Sequence, residues 1–197
     1  APSDERLCIL PEDDLLHAIR GGAASIVTDT IDRFTRDGIR LASGTELDAD
    51  IIVSATGFNL RVFGGMRVTI DGETFNPNER MTYKGVLVEG IPNLAVIFGY
   101  INFSWTAKVD IAGEYLCRLL THLESTGKHV VIPRNTDART TDASIMNTLN
   151  SGYVARGADE LPRQGDRAPW YVHHNIRKDR RWLLRDPIDD GVLEFRA

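Results

Sequence analysis

The sequence is poor in cysteine and has no long run of apolar residues. Its two cysteines, Cys8 and Cys117, stand far apart, so they form neither a CxxC motif nor a disulfide framework. A membrane-spanning helix needs about 20 consecutive apolar residues, and no stretch approaches that length. No apolar segment follows the charged residues 1–6, so no signal peptide is indicated. We therefore expect reduced thiols and a cytoplasmic protein.

A strong positive charge is also missing. The formal net charge is −5, and basic residues are scattered apart from Arg177, Lys178, Arg180 and Arg181. Nucleic acids and anionic membrane surfaces bind proteins through dense basic patches, so neither is an expected partner. The 197 residues are enough for one large domain or two small ones. The chain lacks an initiator methionine, and we expect it to be part of a longer protein.

Motifs for hydrolysis and metal binding are absent as well. None of Ser104, Ser144 and Ser151 stands in a GxSxG motif, so the sequence gives no support to a serine hydrolase. His173 and His174 have no acid or cysteine at ligand spacing, and we expect them to be solvated. We predict no metal site, and the pattern assigns no catalytic residue.

The first half of the chain predicts a short helix followed by a β-meander. Residues 13–22 have acids at the start and Arg20, Gly21 and Gly22 at the end, as helix termini favour. Predicted strands follow at residues 25–34, 39–41 and 51–55, joined by short turns. The third strand is continuously apolar, which predicts burial on both faces. Asp71 and Gly72 predict the turn of a further hairpin over residues 68–75.

A second apolar strand is predicted at residues 94–98, followed by a long helix over residues 105–126. Ser104 or Asn102 can cap this helix, and Gly127 ends it. Apolar residues recur along it with helical spacing. They are Val109, Ala112, Leu116, Leu119, Leu120 and Leu123.

The last third of the chain is more polar and irregular. We predict a loop at residues 133–141, one or two short helices within 144–156, turns around 161–170 and a basic helix at 175–184. The predicted organisation is a linker with a short helix at residues 1–24, a main domain at 25–127 and an extension at 128–197.

Two segments carry a resemblance to a known family. ADIIVSATGF at residues 49–58 resembles the "ATG" segment of class B flavoprotein monooxygenases, the group that holds the flavin-containing and Baeyer–Villiger monooxygenases. GIPNLAVIFGY at residues 90–100 is similar to the last strand of their FAD domain. DERLC at 4–8, NFSWT at 102–106 and LPRQG at 161–165 resemble the bacterial members that oxidise ketones and thioamides such as ethionamide.

The resemblance implies an α/β fold. The chain would be the C-terminal part of a three-layer FAD/NAD(P)-binding domain, followed by a helical extension. It also implies that NADPH reduces FAD and that a C4a-peroxyflavin formed with O2 inserts one oxygen atom into a ketone, a thioamide or another sulfur or nitrogen substrate. FAD and NADPH are thus the expected cofactors of the whole protein, and O2 and a small molecule its substrates.

The departures from the family are equally informative. The chain contains no GxGxxG turn, the element that binds a dinucleotide pyrophosphate at a helix N-terminus. The family's fingerprint between its two Rossmann halves and its peroxide-stabilising arginine are also missing. We expect a parent chain longer by roughly 300 residues. Alone, this chain is expected neither to bind FAD tightly nor to oxidise NADPH.

The resemblance points to the start of the long helix as the flavin-facing element. A helix N-terminus carries about half a positive charge, which suits the anionic edge of reduced flavin. The expected contacts are Asn102, Ser104, Trp105 and Thr106, with helix capping and core packing of Trp105 as the alternative roles. Lys108 is expected to form a surface pair with Asp110.

Thr56 and Gly57 match the family's linker point between the FAD and NADP domains, where a hinge and close backbone approach to the cofactors are expected.

Two other functions stay open on sequence grounds. One is a non-catalytic binding module, and the other is a piece of a different two-dinucleotide flavin oxidoreductase, such as a disulfide reductase. A sheet that lacks part of its domain also predicts an exposed edge, through which a homodimer could form.

Overall fold

The computed structural model describes residues 12–149 and 151–197, so the motif at residues 4–8 and Cys8 lie outside the described residues. The chain divides into two compact units after Phe58. This division falls within the predicted 25–127 domain, and the predicted boundaries at 24 and 127 stay predictions. Within the described ranges no helix combines the length and the apolar character that crossing a membrane requires.

The smaller unit, described from residue 12 to Phe58, holds one helix and a three-stranded antiparallel sheet of order β1-β2-β3. The predicted first helix is confirmed, and it is closed by Gly21 and by Gly22 at φ 75°. The elements are α1 (Asp14–Arg20), β1 (Ile31–Phe34), β2 (Gly38–Leu41) and β3 (Glu46–Asp48).

The meander exists, but the length of its first predicted strand and the position of its third are wrong. The first is confined to Ile31–Phe34, and the third is Glu46–Asp48 rather than residues 51–55. Residues 51–55 form no strand and are not buried, since Ile51 is 82% and Val53 84% exposed. A strand needs backbone partners on a neighbouring strand. The described part of the chain places no such strand beside this segment.

The larger unit spans residues 59–197 and contains a long helix, two short helices and several two-stranded antiparallel pairs. The strands pair as β4–β5, β6–β7, β8–β11 and β9–β10. Its helices are α2 (Trp105–Thr126), α3 (Gly152–Arg156) and α4 (Ile176–Leu184). Its strands are β4 (Thr69–Ile70), β5 (Glu73–Thr74), β6 (Thr82–Tyr83), β7 (Leu87–Val88), β8 (Val130–Pro133), β9 (Thr140–Ser144), β10 (Arg163–Gly165) and β11 (Leu193–Arg196).

Predictions based on local signals are confirmed in this unit. Asp71 at φ 51° and Gly72 at φ 87° form the tight turn between β4 and β5. Helix α2 has the predicted bounds, with Gly127 in the left-handed region at φ 64°. The basic helix α4 also forms, and the Asn175 side chain caps it by accepting from the backbone N–H groups of Arg177 and Lys178.

Other predictions in this unit are wrong. Residues 94–98 form no regular strand. They contact strand β7 through one bridge, between Ala95 and Leu87. Of the one or two short helices predicted within 144–156, one is confirmed as α3. The end of the predicted loop at 133–141 is the start of strand β9 instead. Residues 163–165 of the predicted turn region are strand β10, because they pair with β9. Pairing partners distant in sequence decide each of these outcomes.

The main core lies under one face of α2. Ile111, Ala112, Tyr115, Leu119 and Leu123 are buried there and recur at helical spacing. Val109 and Leu120, two of the apolar residues that follow the helical spacing, are 47% and 65% exposed. The buried face is therefore rotated from the one that apolar residues alone predicted, because Tyr115 and Lys108 occupy it. The fold is mixed α/β, as expected at that level.

Candidate functional site

The N-terminus of α2 is an uncapped helix end. Ser104 occupies the N-cap position, but its hydroxyl is bonded to the Thr106 hydroxyl at 2.7 Å and makes no cap to the backbone. The first turn contains no acidic residue. The first backbone N–H groups of a helix have no partner within it, so this end offers donors and partial positive charge. Asn102, Ser104, Trp105 and Thr106 all lie here and are exposed.

Trp105 stands at this helix end with its ring against the backbone of Gly99. A Cβ atom at Gly99 would lie 2.1 Å from Cδ2 of Trp105, so only glycine leaves room for the indole. Trp105 is 48% exposed, which shows that core packing is not its role. The Phe103 side chain is 49% exposed, and its ring lies edge-on to Tyr100 at 6.3 Å. Two aromatic side chains, each about half exposed, thus lie beside the helix end.

A buried ion pair anchors the first turns of α2 to α4. Lys108 Nζ lies 2.8 Å from Asp179 Oδ2, and the two side chains are 2% and 4% exposed. The predicted surface pair of Lys108 with Asp110 is wrong, because Lys108 faces inward. Lys108 Nζ also lies 5.5 Å from the centre of the Tyr100 ring. Burial raises the pKa of the Tyr100 hydroxyl, and the Asp179 carboxylate raises it further, so the hydroxyl stays protonated.

A cleft of about 410 Å³ opens beside this helix end. Of the predicted site residues, Asn102 lines this cleft. The other walls come from the segment after β9 and the segment before α4. The lining residues are Ile101, Asn102, Asn147, Thr148, Leu149, Tyr171, Val172, His173 and His174.

The two histidines differ from the solvated pair that the sequence predicted. The His173 ring lies 4.9 Å from the rings of both Tyr171 and Trp182. His174 is 9% exposed, and its Nε2 lies 2.7 Å from the Ile145 carbonyl oxygen. Burial lowers the pKa of both imidazoles. No cluster of metal-binding side chains occurs among residues 12–149 and 151–197. Both histidines line the cleft, and His174 also binds the backbone of Ile145.

Thr56 and Gly57 belong to the smaller unit, next to the division after Phe58. Both are exposed, and Gly57 adopts φ 89°, a conformation that glycine tolerates best. Their segment carries no regular secondary structure. A hinge role for these two residues stays a prediction.

Sequence reasoning missed the residues that shape the cleft. Gln164 is 1% exposed, accepts the Val172 N–H at 2.7 Å and faces the Asn147 side chain at 3.4 Å. Gln164 lies inside the LPRQG motif, which carried the family resemblance without indicating a role for any of its residues. The LPRQG motif was therefore the sequence signal that could have pointed to Gln164.

No protein-family model matches the chain, and no solved structure does. Curated relatives do match it. The chain is 54% identical over 196 residues to the FAD-containing monooxygenase MymA of Mycobacterium tuberculosis, covering 100% of this chain and 40% of that protein. It is 47% identical over 194 residues to the FAD-binding monooxygenase AlmA of Acinetobacter baylyi, covering 98% of this chain and 39% of that protein.

A third relative has the same extent. The FAD-containing monooxygenase EthA of Mycobacterium tuberculosis is 47% identical over 194 residues, covering 98% of this chain and 40% of that protein. The chain thus spans about 40% of the length of the curated relatives it matches. By sequence, the chain is similar over nearly its whole length to one part of these FAD-containing monooxygenases.

Proposed function

We propose that this chain is the C-terminal portion of an FAD- and NADPH-dependent monooxygenase that inserts one oxygen atom from O2 into a ketone, a thioamide or another sulfur or nitrogen substrate. The observation that carries the proposal is the uncapped N-terminus of α2, which bears Ser104, Trp105 and Thr106. Relatives at 47–54% identity are named as FAD-containing or FAD-binding monooxygenases, which supports the cofactor assignment.

The residues at this helix end fit a flavin ring. The backbone N–H groups of the first turn can donate to an anionic acceptor, and no carboxylate opposes it there. The half-exposed aromatic side chains of Trp105 and Phe103 suit a flat aromatic ligand. When bound, FAD would take electrons from NADPH and activate O2, chemistry that no side chain supplies.

The chain's own contribution is binding and positioning. Gly99 lets the Trp105 indole lie against the backbone, which fixes the aromatic face beside the helix end. Asn102 borders both this end and the adjacent cleft, so it can orient a substrate next to the flavin. Ile101, Leu149 and Val172 make part of the cleft wall apolar, which disfavours water around the reacting atoms.

Alone, the chain should bind FAD weakly, because it contains no GxGxxG turn to hold the pyrophosphate. A few hydrogen bonds of ~1 kcal/mol each do not offset the cost of immobilising a free ligand. Gel filtration of the chain with excess FAD should therefore yield a colourless protein that does not oxidise NADPH. A stoichiometric yellow protein would show that these residues suffice for FAD.

The proposal is best tested in the complete protein with Ser104→Asp. Aspartate is a good N-cap residue, so the helix should remain intact. Its charge would oppose an anionic reduced flavin, and we expect a lower flavin reduction potential and slower reduction by NADPH. Thr121→Asp, on the exposed side of α2, is the matched control and should leave both unchanged. An unaltered potential in Ser104→Asp would contradict the placement of the flavin at this helix end.

A further inference from the structure

His174 is a buried side chain whose hydrogen-bonding state is fixed by its surroundings. Its Nε2 lies 2.7 Å from the Ile145 carbonyl oxygen. A carbonyl oxygen can only accept, so Nε2 must carry the hydrogen. In the neutral ring, Nδ1 is then an acceptor with a free lone pair.

Nδ1 of His174 has no partner among the residues that the structure describes. Among the described residues, the buried polar atoms that lack both a hydrogen-bond partner and solvent contact do not include Nδ1, so this atom keeps some accessible surface. His174 lines the cleft. The acceptor is therefore open to the cleft. Burial, and to a smaller extent the nearby Lys108 ammonium, lower the pKa of the ring, so the acceptor form prevails at neutral pH.

The remaining walls of the cleft suit an uncharged ligand. Among the described lining residues there is no aspartate, glutamate, lysine or arginine. Polar contacts come from Asn102, Asn147 and Thr148. The side-chain oxygen of Asn147, Oδ1, accepts from Gln164 Nε2 at 3.4 Å. This arrangement leaves the side-chain nitrogen of Asn147, Nδ2, as a donor. A charged ligand would lose its hydration in this cleft without gaining an opposite charge.

We infer that His174 is the hydrogen-bond acceptor of this cleft and that it selects uncharged ligands carrying an O–H or N–H donor. Where the ligand is the oxidised substrate, the inference rests on the proposed monooxygenase function. His174 is then a residue that determines specificity and holds the substrate donor, while the oxidation occurs elsewhere on the molecule. An open buried acceptor penalises a ligand without a donor, because the lone pair loses water and gains nothing.

The test compares two neutral probes of similar shape, benzyl alcohol and benzyl methyl ether, titrated into the chain and followed by NMR. The alcohol should bind about fivefold more tightly, the value expected for one net hydrogen bond. The Nδ1 nitrogen resonance of His174 should shift with the alcohol and stay in place with the ether. Equal affinities, or an Nδ1 resonance that does not respond to the alcohol, would overturn the inference.

Two variants separate the hydrogen bond from the shape of the site. His174→Phe removes the acceptor, and the preference for the alcohol should fall to about onefold. His174→Gln can donate to the Ile145 carbonyl and still present an oxygen, so the preference should persist. A preference retained in His174→Phe would refute the role of His174. If that variant does not fold, the Nδ1 response in the native chain decides.

These binding measurements do not depend on FAD or turnover. A protein that keeps the alcohol preference but oxidises no ketone or thioamide when complete would contradict the proposed function alone. A protein that is an active oxygenase but shows no preference would contradict the role of His174 alone.

Discussion

The two units of the chain differ sharply in how much apolar surface they bury. The larger unit contains two clusters of buried side chains, one under α2 around Tyr115 and Leu119 and the other around Ile145 and Leu161. In the described part of the smaller unit, Leu41 is the buried large apolar residue. The exposed ones there include Ile26, Val27, Ile31, Phe34, Ile51, Val53 and Phe58.

This difference indicates where the stability of the chain resides. Burial of apolar surface is the main favourable contribution to folding, at roughly 25 cal/mol per Å². The larger unit can supply that contribution from its own residues. The smaller unit has the apolar residues but leaves them in solvent, a pattern typical of surfaces that are covered by other protein.

The largest difference between the units should come from the buried Lys108–Asp179 pair. Asp179→Ala would leave a buried ammonium without a partner, and we expect a loss of about 3–5 kcal/mol in the free energy of unfolding. Urea unfolding followed by circular dichroism measures it. Replacing both residues, with Lys108→Met and Asp179→Leu, should restore most of the loss, since no buried charge remains.

The matched control lies in the smaller unit. Arg33 and Asp32 form an ion pair at 3.3 Å with side chains 59% and 48% exposed. Asp32→Ala should change the free energy of unfolding by less than about 1 kcal/mol, because water screens the pair. Equal losses in Asp179→Ala and Asp32→Ala would contradict the contrast between the units.

A smaller effect is expected from self-association of the smaller unit. We propose that it occurs through the edge of β1 that faces away from β2, which pairs with no strand in the described ranges. Ile31 and Phe34 on this strand are 48% and 64% exposed. Lysine on an edge strand opposes pairing with another chain. Ile31→Lys with Phe34→Lys should therefore weaken association roughly tenfold, as judged by light scattering over a range of concentrations.

Leu120→Lys is the control for association. Leu120 is 65% exposed on α2, in the larger unit, so its replacement should leave the association unchanged if β1 forms the contact. A strictly monomeric native chain at high concentration would contradict the proposal. So would an equal effect of the two sets of lysines.

The sequence predicted the elements that depend on local signals. Helix α2 has both its apolar period and Gly127 at its end, and the β4–β5 turn follows from Asp71 and Gly72. The strands predicted at residues 51–55 and 94–98 failed, because an apolar run becomes a strand only where a neighbour supplies hydrogen bonds. In the described residues those neighbours are missing, apart from the bridge at Ala95.

The site shows the same division. The NFSWT motif forms an uncapped helix end with an exposed Trp105, and its contact with a flavin stays a prediction. The partner of Lys108 could not be predicted, since Asp179 lies 71 residues away and a charged residue on a helix is usually exposed. His174 likewise became an acceptor only through the distant Ile145 carbonyl.

The smallest predicted effect is a pH dependence confined to the larger unit. Burial lowers the pKa of His174 in the folded chain below the ordinary value of 6.5, and it lowers that of His173 in the same direction. Between the folded and unfolded pKa values the unfolded chain binds more protons, so stability rises with pH in that window. On acidification, stability should begin to fall near pH 6.5, and below the folded pKa these groups should add no further loss.

Tryptophan fluorescence follows this effect selectively, because all three tryptophans, Trp105, Trp170 and Trp182, lie in the larger unit. Unfolding midpoints measured from about pH 8 to about pH 5 should decline mainly below pH 6.5. In His174→Phe the decline should be smaller, since one of the two imidazoles that resist protonation is gone. An unchanged decline in that variant would show that His174 titrates alike in the folded and unfolded chain, and would remove the case for its being held neutral beside the cleft.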